Sequence, residues 1–331
     1  MDDKQQAGVL FPPDASGKRS SLALGQQVIA AALREAADEE ARRAEQERDW
    51  RRGYIQHFVA QERLACRDAA AAIAMAAAGL DALDERMQYR APGGGEVSLR
   101  QAARQGGAKA LEAHDVAGQG APDPTIRVPW QGGFLTGDAL VAKLADWETR
   151  GIMEHSAYEA IETVLKNPAW LELGDLTFVL LGAGAEMSPA NFLAAHGAHL
   201  VAVDLPGAPA WERLREIAAT TPCRLTLPGH GQEPGTDLLA DIPALAAWLA
   251  DLPGPLVIGN YAYADGARHL LLSAAGDAIA EFLCQARDDV SMAFLGTPTD
   301  AYAVPADIAT AIRSDPRRQR GWLSRSAASI S

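Results

Sequence analysis

The sequence predicts an α/β fold: a doubly wound, mostly parallel sheet preceded by an α-helical N-terminal region. Three observations carry this expectation. From Asp175 onward, short apolar runs alternate with segments of helical period, the pattern of a parallel sheet covered on both faces and joined by right-handed crossovers. Before that point two long stretches of helical period follow one another, over residues 20–52 and 54–87. Within residues 177–196, an apolar run passes straight into a Gly-x-Gly turn, Gly182-Ala183-Gly184, and then into a helical pattern.

The elements follow in chain order. Residues 1–19 are polar, carry Pro12, Pro13 and Gly17, and read as a flexible leader. Residues 20–90 read as a helical hairpin. Its first half begins apolar, with Leu22, Leu24, Val28 and Ile29, and turns charged near Glu39 and Arg43. Its second half carries Ile55, Phe58, Val59, Leu64, Ile73 and Leu80. Such a hairpin must bury one face, which points to a homo-oligomer formed through it or to docking on the α/β domain. Residues 91–172 read as a Gly-rich linker with a short helix over 98–114 and further helices over 139–149 and 156–165. The α/β domain is expected over 173–312. Its strands are expected at Thr177–Leu181, His199–Val203 and residues 224–227, 256–258 and 291–295. Helices are expected over 189–196, 210–219, 242–252 and 273–287. Asp265-Gly266 is a hairpin signal and offers the alternative of a returning strand over 267–272. Residues 313–331 form a basic tail.

Composition narrows the function classes. The 331 residues are 48% hydrophobic, enough for a sizeable core. The net charge of −13 argues against nucleic acid as a main partner. No apolar run approaches the roughly 20 residues that span a bilayer, and the N-terminus lacks a signal pattern. A cytoplasmic protein with a small-molecule substrate and no membrane partner is expected. Cys66, Cys223 and Cys284 form no Cys-x-x-Cys pair, so no metal site is expected. There is no Gly-x-Ser-x-Gly, no His-Glu-x-x-His and no P-loop lysine.

The Gly182 turn carries the chemistry. In such a βαβ unit the first glycine makes the tight turn and the second lets backbone approach a ligand. The following helix N-terminus then offers unpaired N–H groups to an anion. Asp204 closes the next apolar run about 20 residues later, where a carboxylate can accept hydrogen bonds from ribose hydroxyls. It would repel a 2′-phosphate and so favours NAD over NADP. Glu186 is expected in the first turn of the helix, pointing away from the ligand or meeting a cation such as the aminoacyl end of S-adenosylmethionine. The same scaffold with an empty crevice is the alternative. On these residues the region 176–300 resembles the NAD(P)-binding Rossmann superfamily. Met187 stands where that fingerprint has its third glycine, so the helix is expected to sit differently or further out. The sequence ends at Ser331 without the sixth strand of the full fold, leaving a shortened chain or a substitution by the N-terminal helices.

In open α/β sheets the carboxyl ends of the strands line the ligand crevice. The loops after the last two strands therefore bring Asn260, Tyr261, Tyr263, Thr297, Thr299, Asp300 and Tyr302 to one edge. The order of elements is similar to that of short-chain dehydrogenases, which implies a Ser and a Tyr-x-x-x-Lys core. No lysine follows Lys166, so that mechanism does not carry over. Tyr302, Asp300, Tyr261 and Tyr263 remain as candidate acid–base groups, with turn packing as the alternative. His196 and His199 are expected to cap a helix end, His230 to approach the crevice from the Gly-rich loop after the third strand, and His269 to be structural.

Three functions follow from these readings. The first is an NAD(H)-dependent oxidoreductase with a lysine-free site, binding cofactor through Gly182, Gly184, Glu186, Met187, Asp204 and Asn260. The second is an S-adenosylmethionine-dependent transferase, such as a methyltransferase. The third is a non-catalytic nucleotide sensor or scaffold.

Overall fold

The computed structural model describes residues 7–14, 16–107 and 110–293, and the positions Ala306, Asp307, Thr310 and Ser314. In chain order these residues form β1 (Gly8–Leu10), α1 (Ser21–Arg34), α2 (Asp38–Gln46), α3 (Trp50–Ala65) and α4 (Ala69–Arg86). There follow β2 (Gln88–Arg90), β3 (Glu96–Ser98), α5 (Leu99–Arg104), β4 (Glu112–Ala117), β5 (Val128–Trp130), β6 (Gly133–Leu135), α6 (Gly137–Thr149) and α7 (His155–Lys166). The remainder are β7 (Thr177–Leu181), α8 (Ala190–Ala195), β8 (His199–Val203), α9 (Ala210–Thr220), β9 (Arg224–His230), β10 (Glu233–Pro234), α10 (Ile242–Ala250), β11 (Leu256–Asn260), α11 (Ala267–Ala286) and β12 (Val290–Met292). The fold is α/β, and its main sheet is mixed with mostly parallel strands.

That sheet runs β12–β11–β7–β8–β9, all parallel. β9 also pairs antiparallel with β4 and, through a tight hairpin, with β10. Numbered by chain order, the five parallel strands stand third, second, first, fourth, fifth. β7 and β8 are apolar runs because both faces are covered, and they are buried almost throughout. Leu180, Leu200, Ala202, Leu225 and Leu227 point to one face and pack with Leu193 of α8 and with Trp211 and Leu214 of α9. Elsewhere α5, α10 and α11 pack on one another.

A row of polar side chains crosses the base of the sheet. His199 shares hydrogen bonds with Thr177 Oγ1 at 3.1 Å and Thr226 Oγ1 at 2.8 Å, and Thr226 donates to Asp115 Oδ1 at 2.5 Å. His199 is therefore a strand residue in a cross-strand relay, not a helix cap. Burial, then the Arg224 charge, holds its pKa below the ordinary histidine value. His196 does occupy the C-cap of α8 and lies against Phe192.

Several expectations change. Within the leader, Gly8–Leu10 form β1, which pairs with β2 and buries Val9. Glu96 of β3 holds this edge by accepting from both Arg19 and Arg90. The Gly-rich linker contains β4, because its short helix stops at Arg104 after a Ser98–Gln101 capping box. Gln131 and Gly132, both at positive φ, close the β5–β6 hairpin. Asp265-Gly266 makes no returning strand, since α11 starts directly at Ala267.

Residues 22–82 form a separate compact unit. The expected hairpin is divided into α1–α4. Gln26 reaches the carbonyls of Ala44, Glu45 and Glu47 at the end of α2, and Asp68 takes the Ala70 N–H at 2.9 Å as α4 begins. Ile29, Ala30, Leu33, Ala41 and Ala44 make its core, with Trp50 and Leu64 against them. No helix among the described residues is long and apolar enough to cross a membrane.

Asp84, 1% exposed, has one oxygen 3.4 Å from Arg100 and the other without a hydrogen-bond partner. Burial, then the neighbouring Asp277 and Glu281, pushes its pKa up to about 7 against the pull of Arg100. The folded-state value thus lies above that of the unfolded chain. The protonated carboxyl stabilises the fold below the ordinary carboxylate range, and this contribution is lost as pH rises through about 7. His196 and His199, lowered by burial, act in the opposite sense, so the effect is read as a difference. Between about pH 5 and about pH 8, the urea stability of Asp84→Asn should improve relative to wild type; a difference independent of pH would contradict this assignment.

Candidate functional site

The last paired rung of the parallel core aligns Leu181 of β7 with Val203 of β8 and Asn260 of β11. Beyond it the chain leaves β8 toward one side of β7, and β11 lies on the other. Loops that part in this way open a crevice at the carboxyl ends of the strands. A cavity of about 810 Å³ lies there. It is walled by the turn after β7, the end of β8, the first turns of α9 and α11, and the loops after β10 and β11.

Both glycines of the turn are required, but by protein neighbours. Gly182 sits at φ +80, and a Cβ there would overlap the backbone of Ala262. A Cβ on Gly184 would lie 2.5 Å from Ala210 Cβ and 2.7 Å from Asp204 Oδ2. The expected space for a ligand beside the second glycine is thus taken by Asp204 and α9. Asp204 Oδ2 accepts the Gly184 N–H at 2.8 Å, and Oδ1 accepts the Leu205 N–H at 2.8 Å. The carboxylate lines the cavity, and each oxygen keeps acceptor capacity for a further donor.

The helix after the turn departs from expectation. α8 begins at Ala190, has only six residues, and is preceded by Pro189 at its N-cap. The turn and the helix start are separated by residues 185–189, so the turn does not lead directly onto a helix N-terminus for a pyrophosphate. Glu186 is exposed in this connection and stands outside the first turn of the helix. Met187 is 68% exposed. Neither lines the cavity.

Strand pleating explains the next two residues. Successive side chains of a strand leave on opposite faces. Asn260 packs against Gly276 of α11, and its Oδ1 accepts the Ala262 N–H at 3.1 Å. Tyr261 folds back over Gly259 and packs against the Leu180 cluster, where burial raises its pKa. Both are drawn out of the crevice. Tyr263 does line the cavity; it is 76% exposed, with its ring centroid 5.2 Å from that of His269. Thr297, Thr299, Asp300 and Tyr302 lie outside the described residues.

The cavity also has residues that the sequence reading passed over. Arg213 of α9 and Arg268 of α11 line it, as do Thr236 and Asp237. Thr236 donates to the Pro228 carbonyl and takes part in fixing the loop, its own N–H reaching the Asp204 carbonyl at 2.8 Å. The one available signal was position: Arg213 lies on the exposed face of the amphipathic α9, and Arg268 immediately follows a helix start marked by Gly266. His230 pairs with Asp241 at 3.2 Å and is not among the cavity-lining residues.

No protein-family model, no curated protein and no solved structure matches the chain.

The turn geometry makes a quantitative expectation. Gly266 sits at φ +62 and ψ −139 with nothing near an added Cβ, so Gly266→Ala pays backbone strain alone, roughly 1–3 kcal/mol. Gly182→Ala adds the overlap with Ala262 and should cost roughly 1–3 kcal/mol more. Urea unfolding of the two variants checks this, and equal midpoints would show that the turn is not packed as described.

Proposed function

We propose that this protein binds a nucleoside-containing small molecule in the cavity above β7, with NAD(H) as the first candidate. The observation that carries the reading is the place of Asp204: it ends the strand beside the Gly182 turn and lines a cavity at the reversal of strand order. The third-second-first-fourth-fifth order is that of the first five strands in the Rossmann plan. Right-handed crossovers on such a sheet would put α10 and α11 opposite α8 and α9, the doubly wound arrangement. The volume is in the range of small-molecule sites.

The residues fit the two halves of a dinucleotide unequally. Asp204 suits ribose hydroxyls. The short, late α8 does not suit a pyrophosphate. Binding or sensing is therefore favoured over hydride transfer. The oxidoreductase reading keeps one supporting observation, the presence of Tyr263 on the cavity wall. The S-adenosylmethionine reading rests on Glu186 and Asp204; Asp204 lines the cavity, and Glu186 is exposed and does not.

The helical unit supports self-association. Tyr54, Ile55 and Phe58 of α3 and Ile73 and Leu80 of α4 are exposed, and such large apolar side chains on successive helices suit a second copy of the chain.

Calorimetric titration with NADH, NADPH and S-adenosylmethionine tests the binding reading. NADH is expected to bind, and Asp204→Ala to weaken it by at least about 1 kcal/mol; unchanged affinity would remove Asp204 from the ribose. Sedimentation velocity of the wild type should show a dimer or larger, shifted toward monomer by Ile55→Glu with Phe58→Glu. A wild type that is monomeric at every concentration would end the self-association reading.

A further inference from the structure

We propose that Arg213 and Arg268 form a guanidinium clamp for an anionic group of the ligand, a phosphate or diphosphate. The clamp takes the part that the helix after the Gly182 turn does not fill. This inference rests on the nucleotide reading of the cavity and adds to it the means by which charge is bound.

Three features carry it. The arginines come from opposite walls. α9 follows β8 and α11 follows β11, and those strands flank β7 on either side. Both side chains line the one cavity that lies over the turn. Secondly, both guanidinium groups lack an anion. Arg213 makes one hydrogen bond, to the Gly184 carbonyl at 3.3 Å, which sets it beside the glycine turn. Among the described residues Arg268 makes no hydrogen bond or ion pair, and neither arginine has a carboxylate within salt-bridge distance.

Thirdly, the acids on the same wall are already engaged. The Asp204 carboxylate takes two backbone N–H groups, and Asp237 Oδ1 takes the Leu239 N–H at 2.8 Å. Donors that point at these carboxylates offset their charge, while the guanidinium charges have no such partner. Arginine presents a planar fork of donors that matches phosphate oxygens in pairs, and it stays charged at any physiological pH.

Calorimetric titration of the full chain with adenosine, AMP, ADP and inorganic pyrophosphate tests the clamp. ADP is expected to bind at least about 10-fold more tightly than adenosine. Arg213→Ala and Arg268→Ala should each remove most of that preference and leave adenosine affinity unchanged, with Arg268→Lys restoring only part of it. Equal affinity for ADP and adenosine, or a preference that survives both alanine variants, would overturn the clamp and leave the nucleoside reading standing. Arginine-dependent binding of pyrophosphate without any binding of adenosine would support the clamp and overturn the nucleoside. Binding of none of the four would overturn both.

Discussion

The carboxylate of Asp204 joins two loops that leave neighbouring parallel strands, taking the Gly184 N–H on one oxygen and the Leu205 N–H on the other. The mouth of the sheet depends on this link. It draws the turn after β7 against the first residue of α9, so tightly that only glycine fits at 184. On the other side Gly182 receives the backbone of Ala262, and Tyr261 N–H donates to the Leu181 carbonyl at 2.7 Å. Three loops are thereby held around β7, and the cavity is the space left above them. Backbone donors that would otherwise be unpaired at the ends of the strands are satisfied by the same contacts.

This arrangement gives the Gly-x-Gly motif a mechanical reading different from its usual one. Glycine is needed because protein approaches protein, and the approach of a ligand's backbone-bound phosphate is not what selects it. Anion binding, where it occurs, then has to come from side chains. In the proposed clamp that charge comes from Arg213 of α9 and Arg268 of α11, which both line the cavity. Asp204 serves the fold first, with its remaining acceptor capacity directed into the cavity.

Strands buried on both faces were legible in the sequence. β7 and β8 agree residue for residue with the apolar runs Thr177–Leu181 and His199–Val203, because continuous burial leaves an uninterrupted apolar signal. β4 was not legible. It is an antiparallel strand whose residues alternate between exposed and half-buried, set among glycines that read as linker. β1 is only three residues long, and its partner lies about 80 residues away across the α1–α4 unit. The break before α4 carries a local side-chain cap, Asp68, that periodicity does not weigh, whereas α2 and α3 begin without one. Of the candidate site residues, Gly182, Gly184, Asp204 and Tyr263 reach the cavity, since their places follow from strand ends. Asn260 and Tyr261 do not, because pleating sends them under helices on opposite faces. Arg213 and Arg268 carry no local motif; only the order of strands in space brings them together.

The central claim is that ligand binds where the strand order reverses. Backbone amide chemical-shift mapping during titration with NADH tests it most directly, because the probes are distributed over the whole chain. The expected result is a set of perturbed amides at Gly182, Gly184, Leu205, Asp237, Tyr263 and Arg268, with α1–α4 unaffected. A spectrum that does not change, or perturbations confined to the helical unit, would contradict it.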